Sequence, residues 1–186
     1  MQLSELTTRN HIGFILNDMR LDGIGVEVGV AFGENAEIIL DTANLKQLIL
    51  VDNWDYVPNE SPKGYADAIK DWKGCYNYCA SKLQRFGKRA YMQKETSKKA
   101  SEQIIDYSLD FCYIDANHMS PYVDNDLEYW YKKVKKGGIF GGHDYHLVKR
   151  DDYQCDVKTA VDNFLKDKNY KLHITKDSDP SWYIIV

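Results

Sequence analysis

The sequence has no apolar run approaching the roughly 18 residues that a membrane-spanning helix needs, so no membrane partner is expected. Cysteine is scarce. Cys75, Cys79, Cys112 and Cys155 lie on what read as a helix, a strand and a loop, and none belongs to a Cys-x-x-Cys pair. That excludes a zinc or redox motif and leaves reduced thiols as the simple reading. There is no basic excess: 24 Lys and Arg stand against 28 Asp and Glu, for a net charge of -4. A general electrostatic reason to bind nucleic acid is therefore missing, and a small-molecule partner is favoured. The first ten residues lack the basic run followed by an apolar one that marks a secretory signal, which points to a cytoplasmic location. Proline is rare as well. Pro58 and Pro62 fall in the one irregular stretch, residues 53–63, which is too short to divide domains, and no repeat or linker is visible. A chain of 186 residues can bury a core without disulfides, so residues 1–186 read as one domain.

What is present is alternation. Short β-rich apolar runs occupy residues 24–30, 47–51, 89–93, 109–114, 138–142, 170–175 and 182–186. Helix-like segments lie between them at 34–42, 65–86, 97–106, 121–134 and 156–168. Strand followed by helix followed by strand implies a parallel sheet, here a doubly wound α/β fold of seven strands. The turn with Asp177, Ser178, Asp179 and Pro180 is too short for a crossover helix, so the last two strands should pair antiparallel. The segment from Pro121 carries proline in its first turn. It ends in Lys132, Lys133, Lys135 and Lys136 before Gly137 and Gly138, as expected of a helix whose carboxyl end is balanced by cations and closed by a left-handed glycine.

The run Gly25-Val26-Glu27-Val28-Gly29-Val30-Ala31-Phe32-Gly33-Glu34-Asn35 passes from strand through glycines into a helix. Gly29 and Gly33 remove Cβ atoms where a ligand approaches the backbone and where the helix packs closely, and the helix start offers N–H groups to an anion. The dinucleotide spacing Gly-x-Gly-x-x-Gly fails, because Gly23 and Gly25 are followed by Val28. The spacing Glu27-x-Gly29-x-x-x-Gly33 instead resembles motif I of the class I methyltransferases, which bind S-adenosylmethionine (SAM). Asp52 ends the second strand, where an acid can accept both ribose hydroxyls; Asn53 follows it, and Trp54 could cover an apolar or π face. Glu95 and Thr96, at the end of the third strand, hold the position expected to meet the adenine, and Asn35 opens the helix after the cradle.

The fourth and fifth strands end in Asp115-Ala116-Asn117-His118 and Gly142-His143-Asp144-Tyr145. Ligands of open α/β sheets bind outside the carboxyl ends of strands that lie roughly 5 Å apart, so Asp115, His143 and Asp144 should meet there. That donor set suits octahedral Mg²⁺ or Mn²⁺. His118 is the first choice for the general base, with His143 and His146 as alternatives. The same residues admit a purely structural reading, in which Asp115 caps the next helix and the histidines are ordinary loop residues.

Residues 115–127, beginning Asp-Ala-Asn-His, and 137–145, Gly-Gly-Ile-Phe-Gly-Gly-His-Asp-Tyr, resemble the small methyltransferases related to macrolide and aminocoumarin sugar O-methyltransferases. The resemblance covers the chain from about Gly23 onward. It implies a Rossmann-like methyltransferase fold, SAM, a sugar or similar acceptor, and a metal held by Asp115 and Asp144. Two departures stand out: His143 replaces an acid common at its position, and Asn117 replaces a catalytic aspartate. Relatives form dimers or larger assemblies, whereas no helix face here reads as an interface, so the homo-oligomeric state stays open. Asp179-Pro180-Ser181-Trp182 resembles the Asp-Pro-Pro-Tyr motif of nucleic-acid amino methyltransferases, but it lies in the final turn and not at the end of the fourth strand. The acceptor pocket is expected from residues 57–65 and the loop from Tyr145 to Tyr153, where nothing names a substrate.

Overall fold

The computed structural model describes residues 5–55, 69–149 and 153–186. Helix α1 spans Ile12–Asp18 and is followed by β1 (Ile24–Val28), α2 (Glu34–Thr42), β2 (Gln47–Asp52), α3 (Trp72–Leu83), β3 (Ala90–Lys94), α4 (Ser97–Glu102) and β4 (Leu109–Ile114). Then come α5 (Tyr122–Tyr131), β5 (Val134–Gly142), β6 (Val148–Lys149), β7 (Gln154–Cys155), α6 (Val157–Leu165), β8 (His173–Ile174) and β9 (Trp182–Ile185). Seven strands form one sheet in the order β3-β2-β1-β4-β5-β9-β8. The first five are parallel, and β9 runs antiparallel to both β5 and β8. The doubly wound sheet with a reversed last strand is the one expected. Strands β6 and β7 form a separate ribbon that the sequence reading did not anticipate and that takes Cys155 out of a loop.

Both faces of the sheet are covered, and strand alternation assigns the sides. On β4, Phe111 and Tyr113 enter the core beneath α1, α2 and α3, while Cys112 and Ile114 enter the core beneath α5 and α6. Trp130 of α5 is fully buried, Tyr129 and Tyr131 are half-buried against the same core, and Tyr129 also lines the cavity described below. The predicted helix over residues 65–86 is seen as α3, which begins at Trp72; residues 65–68, residues 57–65 of the expected acceptor pocket and residues 150–152 of its second loop lie outside the described residues. Among the described residues no helix is long and apolar enough to cross a membrane.

The helix expected over residues 97–106 ends at Glu102, the strand expected over 170–175 is confined to His173–Ile174, and one further boundary is moved by several residues. The helix after Pro121 stops at Tyr131, and the lysine run belongs to the entry of β5. The cause is nonlocal. Lys133 Nζ donates to the Ile104 carbonyl at 2.8 Å and to Asp106 at 2.6 Å, and Lys135 pairs with Asp110 at 2.6 Å, while Tyr107 and Leu109 donate backbone N–H groups to the carbonyls of Lys132 and Lys133. These partners draw the segment into extended pairing with β4. Gly137, with φ +79°, therefore sits within β5, where the pairing with β4 shifts register, and does not close a helix.

Candidate active site

A cavity of about 1160 Å³ opens across the carboxyl ends of β1 to β5. Its floor is the turn after β1. Gly29 has φ +84°, and a Cβ there would lie 2.1 Å from the Asp115 carbonyl oxygen, so only glycine lets this turn pass the end of β4. Gly33 has a different role from the one expected. It takes φ +79° at the start of α2, and its missing side chain makes room for Cys79 and Leu83 of α3; it does not line the cavity. Gly29 lines the cavity where the turn passes β4, and Gly33 lets two helices approach.

Asp52 holds the turn. Its Oδ2 accepts the N–H groups of Val30 and Ala31 at 2.9 and 3.0 Å, and its Oδ1 accepts that of Trp54 at 2.8 Å. Trp54 corrects the sequence reading. It is 1% exposed, its Nε1 donates to the Ala31 carbonyl at 2.9 Å, and its ring meets Tyr76 edge-on in the core, so it braces the turn from below and presents no face to a ligand. Asn53, Glu95 and Thr96 do line the cavity, as do Asn35 and Glu27.

Glu27 is 2% exposed. Its Oε1 accepts from Asn35 Nδ2 at 2.8 Å, while its Oε2 is buried with no partner among the described residues. Burial pushes its carboxyl up to about 8, against the Asn35 hydrogen bond and with help from the charges on Asp115 and Asp52. Arg9, in the short 3-10 turn before α1, also reaches the cavity and lies 3.5 Å from Asp115 Oδ2. Nothing in the sequence signals Arg9, a lone arginine about a hundred residues from the acid it faces.

At the ends of β4 and β5 the structure gathers Asp115, His118 and Asp144, whose potential ligand atoms all lie within 4.8 Å of one another. His118 Nε2 is 3.4 Å from Asp115 Oδ1 and 3.5 Å from Asp144 Oδ2. His143, expected in that group, stands beside it, with Nδ1 3.1 Å from Asp144 Oδ1 and 3.8 Å from Asp115 Oδ2. Burial of the His118 ring opposes protonation, but the Asp115 hydrogen bond and the charges of Asp115 and Asp144 outweigh it and raise its pKa. Burial likewise opposes ionisation of Asp144, and the His143 hydrogen bond with the neighbouring imidazoles lowers its pKa all the same. His146 faces Asp179 at 3.5 Å, so the final turn, which holds the rejected nucleic-acid-like motif, closes one end of the same cavity.

A parallel sheet in this order with a reversed β9, and a glycine cradle facing acids at the ends of β2 and β4, define a class I SAM-dependent methyltransferase. A family model described as methyltransferase domain matches residues 26–145, and the chain belongs to that family. No curated protein matches it significantly. Its fold is shared with an O-methyltransferase from Bacillus cereus in complex with S-adenosylhomocysteine (TM-score 0.64, 10% identity, 96% of this chain and 80% of that one). It is shared also with the O-methyltransferase TomG from Streptomyces achromogenes in complex with SAM (TM-score 0.65, 12% identity, 96% and 78%). A 1,6-didemethyltoxoflavin N1-methyltransferase from Burkholderia thailandensis has it too (TM-score 0.57, 13% identity, 95% and 74%).

Proposed function

We propose that this chain, as a single methyltransferase domain, transfers the methyl group of SAM to a hydroxyl of a small polyhydroxylated acceptor of sugar type, assisted by Mg²⁺ or Mn²⁺ held by Asp115, His118 and Asp144. The observation that carries the reading is the convergence of these three side chains at the end of the cradle-lined cavity. Ligand atoms on adjacent octahedral positions lie roughly 3 Å apart for bonds near 2.1 Å, so separations of 3.4 and 3.5 Å need only a small contraction to close on an ion. Two carboxylates and one imidazole suit manganese somewhat better than magnesium.

The cradle residues fit the methyl donor. Gly29 lets the turn pass close to β4 and lines the cavity, and Glu27 Oε2, buried without a partner among the described residues, would accept from an ammonium group once ionised. A carboxylate offers about four lone-pair sites; Asp52 uses three on backbone N–H groups and keeps one for a ribose hydroxyl. SAM, when bound, supplies an electrophilic sulfonium methyl, and a metal ion would lower the pKa of the acceptor hydroxyl. With His118 engaged by the two acids, His143 is the base that takes the hydroxyl proton, its ring held by Asp144. The O-methyltransferases among the similar structures support oxygen as the accepting atom.

One observation favours a second reading. Arg9 already offsets part of the charge of Asp115 without an ion, and His118, in its neutral form between two carboxylates that would stabilise the imidazolium it becomes, would then be the base itself. Transfer of labelled methyl from SAM to a panel of sugars, other alcohols, amines and carboxylates, with EDTA or with added Mn²⁺, separates the readings. Transfer to a sugar-type hydroxyl that EDTA abolishes and Mn²⁺ restores supports the first. Full turnover in EDTA selects the second, and transfer only to amines or carboxylates overturns both.

A further inference from the structure

The end of the cavity opposite the Asp115 cluster holds an acid that the cofactor motifs do not include. Asp126, on α5, is 6% exposed and lines the cavity together with Glu95 and Thr96, which follow β3, and Ser97, which opens α4. Its surroundings fix it. The Trp130 indole N–H donates to Ser97 Oγ at 2.9 Å, and Ser97 Oγ in turn donates to Asp126 Oδ1. Oδ1 is thus engaged, which leaves Oδ2 for whatever occupies this end.

The donor's own shape says what that is. With its methyl at the Asp115 cluster by β4 and β5 and its ribose at Asp52 of β2, an extended nucleoside reaches β3 with its base, beside Glu95, Thr96 and Asp126. The base is adenine, whose Watson–Crick edge carries one exocyclic amine. An ionised carboxylate is acceptor-only and matches an amine, whereas a 6-oxo group in the same place would bring oxygen against oxygen.

We propose that Asp126 is the residue that reads the 6-amino group of the donor's adenine, making it a specificity-determining contact for the nucleobase. The inference rests on the donor placement given above and is independent of acceptor and metal. Burial pushes the Asp126 carboxyl up to about 6, with the Ser97 hydrogen bond opposing, so the side chain is ionised at neutral pH and the selectivity should fade in mildly acidic buffer.

The test is calorimetric titration of the intact protein at about pH 7.5 with S-adenosylhomocysteine and with S-inosylhomocysteine, in which C6 carries oxo in place of amine and N1 becomes an N–H donor; the Asp126→Asn arm assigns the difference to Asp126. Hydrogen bonds to charged groups contribute about 1.5–3 kcal/mol, so the wild type should prefer the adenine ligand by about 10- to 150-fold. In Asp126→Asn, whose amide both donates and accepts, the preference should fall to about threefold or less, with gain of the inosine ligand as well as loss of the adenine one. A wild-type preference below about tenfold overturns the assignment, and that arm needs no variant to fold. A preference that survives in Asp126→Asn, including equal weakening of both ligands, overturns it too and leaves Asp126 as an anchor for Ser97 alone. Absence of any S-adenosylhomocysteine binding would instead overturn the donor placement itself.

Discussion

The buried carboxyl of Glu27 makes the stability of the ligand-free protein depend on pH in a way that one substitution should erase. In the unfolded chain this group titrates near 4.5, and burial in the fold pushes it up to about 8. Between these values the folded protein holds a proton that the unfolded chain has lost. The unfolded state then binds fewer protons, and stability falls as pH rises through the window; below about 4.5 and above about 8 the contribution is flat. At about 1.36 kcal/mol per pH unit, a scan from about pH 6 to about pH 9 removes about 2.7 kcal/mol through this group alone. For a domain of this size 1 kcal/mol moves the melting temperature by about 2–4 °C, so the scan should cost about 5–11 °C through Glu27. Glu27→Gln keeps an oxygen for the Asn35 amide at nearly constant shape and cannot ionise. Every other titrating group is common to both proteins and cancels in the difference between their melting temperatures. That difference, variant minus wild type, should widen in favour of the variant by about 5–11 °C between the two pH values, measured by calorimetry without ligand. A difference that stays constant across the scan, whatever its value, refutes the reasoning, because it would mean that the Glu27 proton does not distinguish folded from unfolded chain.

Three further outcomes follow from the site. Gly29→Ala places a methyl group 2.1 Å from the Asp115 carbonyl in a left-handed conformation, so it should lower stability by about 2–4 kcal/mol and abolish S-adenosylhomocysteine binding in a titration. Asp144→Asn removes a carboxylate from the gathered cluster and should reduce methyl transfer by at least about 100-fold in a radiometric assay, with donor affinity changed by less than about threefold. Trp54→Phe removes the hydrogen bond to the Ala31 carbonyl and should lower stability by about 1–3 kcal/mol. Since Trp54 has no face in the cavity, donor affinity well below the melting temperature should move by less than about threefold, and a loss of tenfold or more would return it to the cofactor wall.

Local chemistry explains what the sequence revealed. The cradle is legible because an apolar strand, two glycines and a helix start are consecutive, and Asp52, Asp115 and Asp144 are legible because each ends a β-rich run on a sheet whose ligand edge is known from topology. What stayed hidden was set by partners far along the chain. Whether Trp54 turns outward or inward depends on Ala31 and Tyr76, and whether Lys132 to Lys136 prolong a helix or open a strand depends on Asp106 and Asp110. His118 and His143 both lie near the strand ends; which ring enters the gap between the two aspartates is decided by side-chain direction, which spacing does not encode. Arg9 and Asp126 carry no motif at all, and only their burial against the cavity reveals them.

The interior position of β9 makes both outer seams of the sheet depend on the last strand of the chain. Among the described residues β8 pairs only with β9, and β9 alone covers the outer edge of β5, so neither outer seam can form before residues 182–185 are in place. Until then β5 presents a long edge with Ile139 and Phe140 on its two faces, the kind of surface on which other chains template. A nonsense or frameshift change upstream of Trp182 should therefore yield an aggregate and not a smaller working enzyme, and a cell that halts translation there inherits a proteostasis burden along with the lost activity.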